Sequence, residues 1–191
     1  METFLGLLVG VGLSAACGFR VFVPMLVVSA AAWSGWLPLA SGFEWLGTLP
    51  ALIAFAVATA VEVAGYYVPW VDNALDTVAG PAAAVAGTVL MASVITDVNP
   101  FLKWTLAIIA GGGTAATVQG MTTLARASSS ALSLGLLNPV LATVELVGSA
   151  GLAILVIAVP LAALLVLVVV VMLAVKFLRR SRSSAQRLAA D

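Results

Sequence analysis

Long apolar runs, separated by short stretches rich in glycine, proline, tryptophan and charge, make up most of this chain. A helix needs ~20 apolar residues to span the hydrocarbon core of a bilayer. The runs therefore predict an all-α, polytopic membrane bundle of roughly five to six embedded segments. The predicted segments cover about residues 4–33, 50–68, 72–95, 100–125 and 139–178.

Helix-start signals punctuate these runs. Asp72 stands where an N-cap is expected, and Asn99 precedes Pro100 in an arrangement typical of a cap followed by the first helical residue. The Asn138-Pro139 pair repeats that signal before the last run. A glycine followed by Pro81 predicts that the third helix starts short and bends.

The last apolar run is too long for one perpendicular crossing. From Pro139 to Leu178 it would extend about 60 Å as a straight helix, twice the ~30 Å hydrocarbon thickness. We expect either two short spans or a break by Gly148, Gly151 and Pro160 into a half-inserted helix and a spanning helix. We favour the break, with residues 128–148 forming a re-entrant or buried piece.

Composition supports a membrane location: 63% of the 191 residues are hydrophobic, 8% are charged, and the mean hydropathy is +1.20. We expect one domain over residues 1–178 and a basic tail over 179–191. The positive-inside bias places such a tail in the cytoplasm. The basic residues that carry this prediction are Lys176, Arg179, Arg180, Arg182 and Arg187.

The sequence argues against cofactors, catalysis and nucleic-acid binding. It has no histidine and a single cysteine, Cys17, so an intrachain disulfide is excluded and haem or zinc chemistry lacks its usual ligands. Serines 128–130 beside Arg126 have no base nearby in sequence. We expect a non-enzyme whose partners are the lipid bilayer and a small solute.

Small residues recur at a spacing of four on three of the predicted helices. Such faces let helix backbones approach closely in lipid, within one chain or between copies, so a homo-oligomer is one expectation. The faces are Gly6, Gly10, Ser14 and Gly18; Gly80, Ala84, Thr88 and Ala92; and Ala107, Gly111 and Ala115, with Gln119 next on the same stripe.

Charged residues inside the apolar runs are the candidate site. Arg20 lies near the middle of the first run, at a cost of ~2.5–3.5 kcal/mol on insertion scales unless it finds a partner or water. Glu62 and Glu145 lie in later runs, within the similar segments 61–65 and 144–148, a weak internal repeat. Either glutamate could pair with Arg20 to hold the bundle, or carry a cation or proton.

A second polar group follows the aromatic residues Tyr66, Tyr67 and Trp70, which are typical of a membrane interface. Asp72, Asn73 and Asp76 offer oxygen ligands suited to Mg²⁺ or Ca²⁺, although the two aspartates are equally explained by helix capping. Gln119 is expected to bind between helices or line a path. Metal-ligand candidates are Glu62, Asp72, Asp76 and Glu145.

Several segments together resemble a bacterial family of small membrane proteins known as domain of unknown function 4126. They are Gly18-Phe19-Arg20-Val21-Phe22-Val23-Pro24, Pro69-Trp70-Val71-Asp72-Asn73-Ala74-Leu75-Asp76, Gly111-Gly112-Gly113, and Asn138-Pro139 with Glu145. The resemblance implies a shared polytopic fold in the bacterial inner membrane. It marks Arg20, Asp72, Asn73, Asp76, Asn138 and Glu145, and it supplies no activity. The family pattern often has an acid after the last glutamate, where this chain has Leu146.

Two functions fit these observations. The first is transport or channelling of a small solute, with a cation favoured because carboxylates outnumber Arg20. In that hypothesis the carboxylates attract the ion and Arg20 is their counter-charge. The second is a structural or assembly protein whose charges are internal pairs and whose small-residue faces mediate oligomerisation.

Overall fold

The computed structural model describes residues 2–133 and 137–160, and helices make up most of this part of the chain. A short 3₁₀ turn, Glu44–Gly47, precedes the third helix, and a π-helical turn, Ala107–Gly112, joins the fifth helix to the sixth. The helices are α1 Glu2–Phe19, α2 Phe22–Trp33, α3 Leu49–Tyr66, α4 Pro69–Val94, α5 Pro100–Leu106, α6 Gly113–Ser133 and α7 Asn138–Ala158.

Four helical stretches are long and apolar enough to cross a membrane: Leu49–Tyr66, Thr77–Val94, Pro100–Ser130 and Asn138–Ala158. The shorter helices α1 and α2 are also apolar. Together these segments confirm the predicted all-α membrane bundle and its five to six embedded pieces. The predicted basic tail, and the part of the last run beyond residue 160, lie outside the described residues.

Helix α1 lies at the centre of the bundle and runs antiparallel to α4. A Cβ added at Gly6 would lie 2.6 Å from the Val94 carbonyl oxygen. Eight residues further along α1, the Ser14 hydroxyl donates to the Gly87 carbonyl at 2.9 Å. The small-residue face predicted for α1 therefore packs inside the chain, because only small side chains allow backbones this close.

Helix α7 also runs antiparallel to α1. Val156 fills the space beside Gly12, where an added Cβ would lie 2.4 Å from its Cγ2 atom. Nearer the start of α7, the Ser149 hydroxyl donates to the Ala16 carbonyl at 2.9 Å. This pairing brings the first turns of α7 beside the end of α1.

The first apolar run is two helices, so the prediction of one element over residues 4–33 is wrong. Helix α1 ends at Phe19 and α2 begins at Phe22. The chain then returns along the bundle, since the Ala40 amide donates to the Ser93 carbonyl at 2.7 Å, one residue from the Val94 that packs on the start of α1. Pro24 does not cause the break. It lies in the first turn of α2, where its missing N–H needs no partner.

The two ends of the bundle differ in character. At the turn end the chain reverses at Arg20–Val21 and again at Tyr67–Val68. At the opposite, tryptophan end, Trp33, Trp36 and Trp45 are exposed, as in the aromatic belt of a membrane interface.

The starts of the middle helices match the sequence signals unequally. Asn99 caps α5 as predicted, and its Oδ1 accepts the Leu102 amide at 2.8 Å. The prediction that Asp72 caps the third helix is wrong, because α4 begins at Pro69 with Val68 as its N-cap. Proline at the first helical position is already in the helical φ range, so α4 starts earlier than the acid. It then continues past Pro81 to Val94.

The predicted re-entrant piece over 128–148 is also wrong. Its first residues belong to α6, and its last belong to α7, which continues through Gly148 and Gly151. Intrahelical hydrogen bonds are hard to give up in lipid, so glycine alone does not break a helix there. Helix α7 does end at Ala158, just before Pro160, as the proline predicts. Asn138 is the first residue of α7, and Leu137 is its cap.

Candidate functional site

Arg20 lies at the α1–α2 turn with only 2% of its surface exposed. Its Nη2 atom donates to the Ala142 carbonyl at 2.9 Å and lies 3.5 Å from Glu145 Oε2. Both partners belong to the first turns of α7, which the antiparallel packing of α7 on α1 places here. The sequence prediction that Arg20 pairs with a buried glutamate is therefore confirmed for Glu145.

Arg126 of α6 is the stronger partner of the same glutamate. Its Nε donates to Glu145 Oε1 at 3.0 Å, and its Nη2 donates to Oε2, which makes the contact bidentate. Arg126 is 4% exposed and Glu145 is 7% exposed. Glu145 thus joins two arginines from different parts of the chain, an arrangement with the planar geometry that favours arginine over lysine.

Sequence reasoning placed Arg126 in a serine-rich connector and left it out of the site. Helix α6 in fact extends to Ser133, so Arg126 is an interior helical residue. The available signal was its spacing of seven from Gln119, which puts both on one face of a helix. The described contacts do not join Gln119 to Glu145 or the arginines; its Nε2 donates to Thr123 of the same helix at 3.4 Å.

Tyr66 packs against both guanidinium groups. Its ring centroid lies 3.6 Å from Arg20 Cζ and 4.3 Å from Arg126 Cζ. Tyr66 is buried, whereas Tyr67 is exposed. A desolvated cation–π contact contributes about 2 kcal/mol, so Tyr66 partly offsets the burial of two like charges.

Glu62 of α3 caps helix α2 from a distance. Its Oε1 accepts the Val21 amide at 2.8 Å and its Oε2 accepts the Phe22 amide at 3.0 Å. The cap residue of α2, Val21, has no side chain that could do this. A carboxylate at this position also complements the positive end of the helix dipole.

Two further contacts close the turn end between helices. The Tyr67 hydroxyl and Thr143 Oγ1 share a hydrogen bond of 2.9 Å. Asn138, a predicted site residue, donates from Nδ2 to Ser130 Oγ at 3.1 Å, linking α7 to α6. Asn138 stands two turns before Glu145 on α7.

The remaining candidates stay predictions. Asp72, Asn73 and Asp76 lie in the first turns of α4, and their side chains fall outside the described part of the structure. Within the described residues, no three or more acidic, histidine or cysteine side chains group as a metal site.

We call Arg20, Glu62, Tyr66, Arg126 and Glu145 the buried charge cluster. The two glutamates of the weak repeat meet at the same turn, one through the amides after Arg20 and the other through its guanidinium. Two arginines and two glutamates balance formally. An arginine–glutamate cluster enclosed by apolar helices defines a polytopic membrane protein with a charged interior.

The family model described as Domain of unknown function (DUF4126) matches residues 7–180. The chain therefore belongs to that family, and the resemblance found in the sequence is confirmed. Comparison with the curated proteins and with the solved structures finds no match.

Proposed function

We propose that this protein is a transporter or channel for a small solute, and that the buried charge cluster is its solute site. The observation that carries the proposal is the placement of Arg20, Arg126 and Glu145 inside the bundle at a break between two membrane helices. An ionisable group inside a membrane helix bundle is by default a candidate for a substrate or ion pathway. Interrupted helices are a recurrent feature of transporter sites.

Stability alone is a weak reason for such a cluster. Each charge costs ~2.5–3.5 kcal/mol on insertion scales before it is paired. A buried ion pair can often be replaced by apolar residues of similar volume with no loss of stability. In some proteins the replacement stabilises the fold by roughly 1–4 kcal/mol. A buried charged network therefore stabilises a bundle less well than apolar packing would, and a role in binding solute explains its presence.

Two backbone irregularities supply places where the bundle could change shape. One is the break at Arg20–Val21, and the other is the π-helical turn Ala107–Gly112, which packs on α4 and α1. Short π-helical segments occur frequently at functional sites. Movement at the break would alter the surroundings of Arg20 directly, because Glu62 binds the two amides that follow it.

The alternative is a structural protein in which the same contacts only hold the bundle. One observation favours it: both glutamates of the cluster already have protein donors, Glu62 at the start of α2 and Glu145 at Arg126. The same observation weakens the hypothesis of an inorganic cation bound at these two glutamates. Asp72 and Asp76 would have to supply the ligands instead.

Location and assembly follow the sequence expectations. We place the chain in the bacterial inner membrane with its C-terminus in the cytoplasm, on the basis of the family resemblance and the basic tail. Gly6, Gly10 and Gly12 of α1 and Gly87 of α4 pack within the chain. A homo-oligomer would therefore use other, lipid-facing surfaces.

The test is solute flux into proteoliposomes. Purified protein is reconstituted, and uptake of labelled monovalent cations, divalent cations and small anions is compared with protein-free liposomes. We expect flux of at least one class, reduced by Glu145→Gln and unchanged by Glu44→Gln, whose carboxylate lies in an exposed loop contact. Folding of each variant is checked by size-exclusion chromatography. Absence of flux for every class would leave the structural alternative.

A further inference from the structure

We propose that the solute bound by the buried charge cluster is a small inorganic anion, and that Arg20 is the residue that binds it. This inference rests on the proposed function, because it names the class of solute for the same site. It reverses the sign of charge that counting carboxylates in the sequence favoured.

Two of the three guanidinium nitrogens of Arg20 have hydrogen-bond donors that are not used by the described residues. Its Nη2 atom binds Ala142 and approaches Glu145, whereas Nε and Nη1 are buried and have no hydrogen-bond partner among the described residues. Leaving a buried donor unsatisfied costs about 1–3 kcal/mol, and more for a charged group. Such groups in a folded protein call for an explanation, of which a bound ion is one.

The carboxylate oxygens of the cluster are already occupied by protein donors. Both oxygens of Glu62 accept α2 amides, and both oxygens of Glu145 accept donors from Arg126. A cation could reach either carboxylate only by displacing an arginine or an amide. An anion would displace neither of these groups, because the unoccupied hydrogen-bonding atoms of Arg20 are the donors Nε and Nη1.

Both glutamates contribute to the balance of charge around Arg20. Glu145 is shared by Arg20 and Arg126, while the charge of Glu62 is engaged at the positive end of α2. The cluster is therefore formally neutral, and what it offers an incoming ion is the pair of unoccupied Arg20 donors, Nε and Nη1, rather than a net positive charge. Helix N-termini and arginines are the usual protein groups that hold anions.

The surroundings of Arg20 limit the size of the solute that can bind it. Arg20 is 2% exposed, and the Tyr66 ring covers one face of its guanidinium at 3.6 Å. A solute that reaches Nε or Nη1 must shed water and must fit beside packed helices. These conditions suit a halide or a similarly small monovalent anion, and they exclude large organic anions.

Two measurements test the anion site on the full-length protein. The first is equilibrium binding of radiolabelled chloride to detergent-solubilised protein, which needs no transport. We expect saturable binding that Arg20→Gln weakens about tenfold or more, as loss of a charged hydrogen bond predicts. Lys103→Gln, which changes a basic residue at the tryptophan end, should leave binding unchanged. Arg20→Lys keeps the positive charge and should therefore bind chloride more tightly than Arg20→Gln and less tightly than the wild type.

The second measurement is the reversal potential of proteoliposomes or planar bilayers in a potassium chloride gradient. Anion selectivity that Arg20→Gln abolishes supports the inference, and selectivity for potassium overturns it while leaving transport standing. Chloride binding without flux of any ion supports the anion site and refutes the transport proposal. Absence of saturable binding to the folded wild type overturns the anion site whatever the flux shows.

Discussion

Removing the carboxylate of Glu62 should loosen helix α2, although the two lie in different parts of the chain. Glu62 is 6% exposed and satisfies two amides that are 41 and 40 residues earlier. Glu62→Ala leaves both donors without this acceptor. At about 1–3 kcal/mol for each unsatisfied donor, the expected loss of unfolding free energy is about 2–6 kcal/mol. Glu62→Gln keeps one acceptor oxygen and should lose about half as much.

The assay is reversible unfolding in detergent micelles by added denaturant, followed by circular dichroism and tryptophan fluorescence. Glu44→Ala is the matched control, since Glu44 accepts one amide in an exposed loop and should cost under about 0.5 kcal/mol. The expected order of loss is Glu62→Ala, then Glu62→Gln, then Glu44→Ala. Equal unfolding midpoints for Glu62→Ala and Glu44→Ala would refute the capping role.

Three further substitutions test the packing, the ion pair and a cap. Gly87→Ala should cost about 1–3 kcal/mol by overpacking, because its Cβ would lie 2.6 Å from a neighbouring Cβ and 2.9 Å from a backbone oxygen, whereas Gly113→Ala has free space and should cost nothing measurable by denaturant unfolding. Arg126→Gln should cost about 3–5 kcal/mol as a broken buried pair, and the added change Glu145→Gln should restore part of it in a double-mutant cycle; fully additive losses would contradict the pairing. Asn99→Ala should cost about 1 kcal/mol by uncapping α5, and an unchanged unfolding midpoint would show that the cap is dispensable.

Features encoded by neighbouring residues were predictable from the sequence. The Asn99 cap, the extent of α3 and the packing role of small residues such as Gly6 and Gly111 follow from local capping and spacing rules. The apolar runs likewise predicted the class of fold. Each of these rests on signals a few residues apart.

Features that depend on distant partners were not predictable. The break at Arg20–Val21 is stabilised by Glu62, whose contribution no local pattern reveals. Gly148 was expected to break a helix, but lipid favours intact helical hydrogen bonding over glycine's flexibility. The sequence prediction therefore missed the break between α1 and α2 and added one within α7.

The candidate site shows the same division. Arg20, Glu62 and Glu145 stood out individually, because a charge in an apolar run needs a reason. Which glutamate pairs with Arg20 did not, and neither did the role of Arg126: Glu145 binds both arginines, whereas Glu62 accepts the amides of α2. Which charges meet is set by the antiparallel packing of α7 on α1, a property of the whole bundle.

Accessibility of the cluster from water tests the central claim most directly. Ala142 is 1% exposed and its carbonyl binds Arg20, so a cysteine there reports on the site. In a Cys17→Ser background, Ala142→Cys is treated in intact membranes with a small charged thiol reagent. A solute site predicts modification that is slowed by the bound anion. A cysteine that reacts only after denaturation would show a dry structural core and contradict the account.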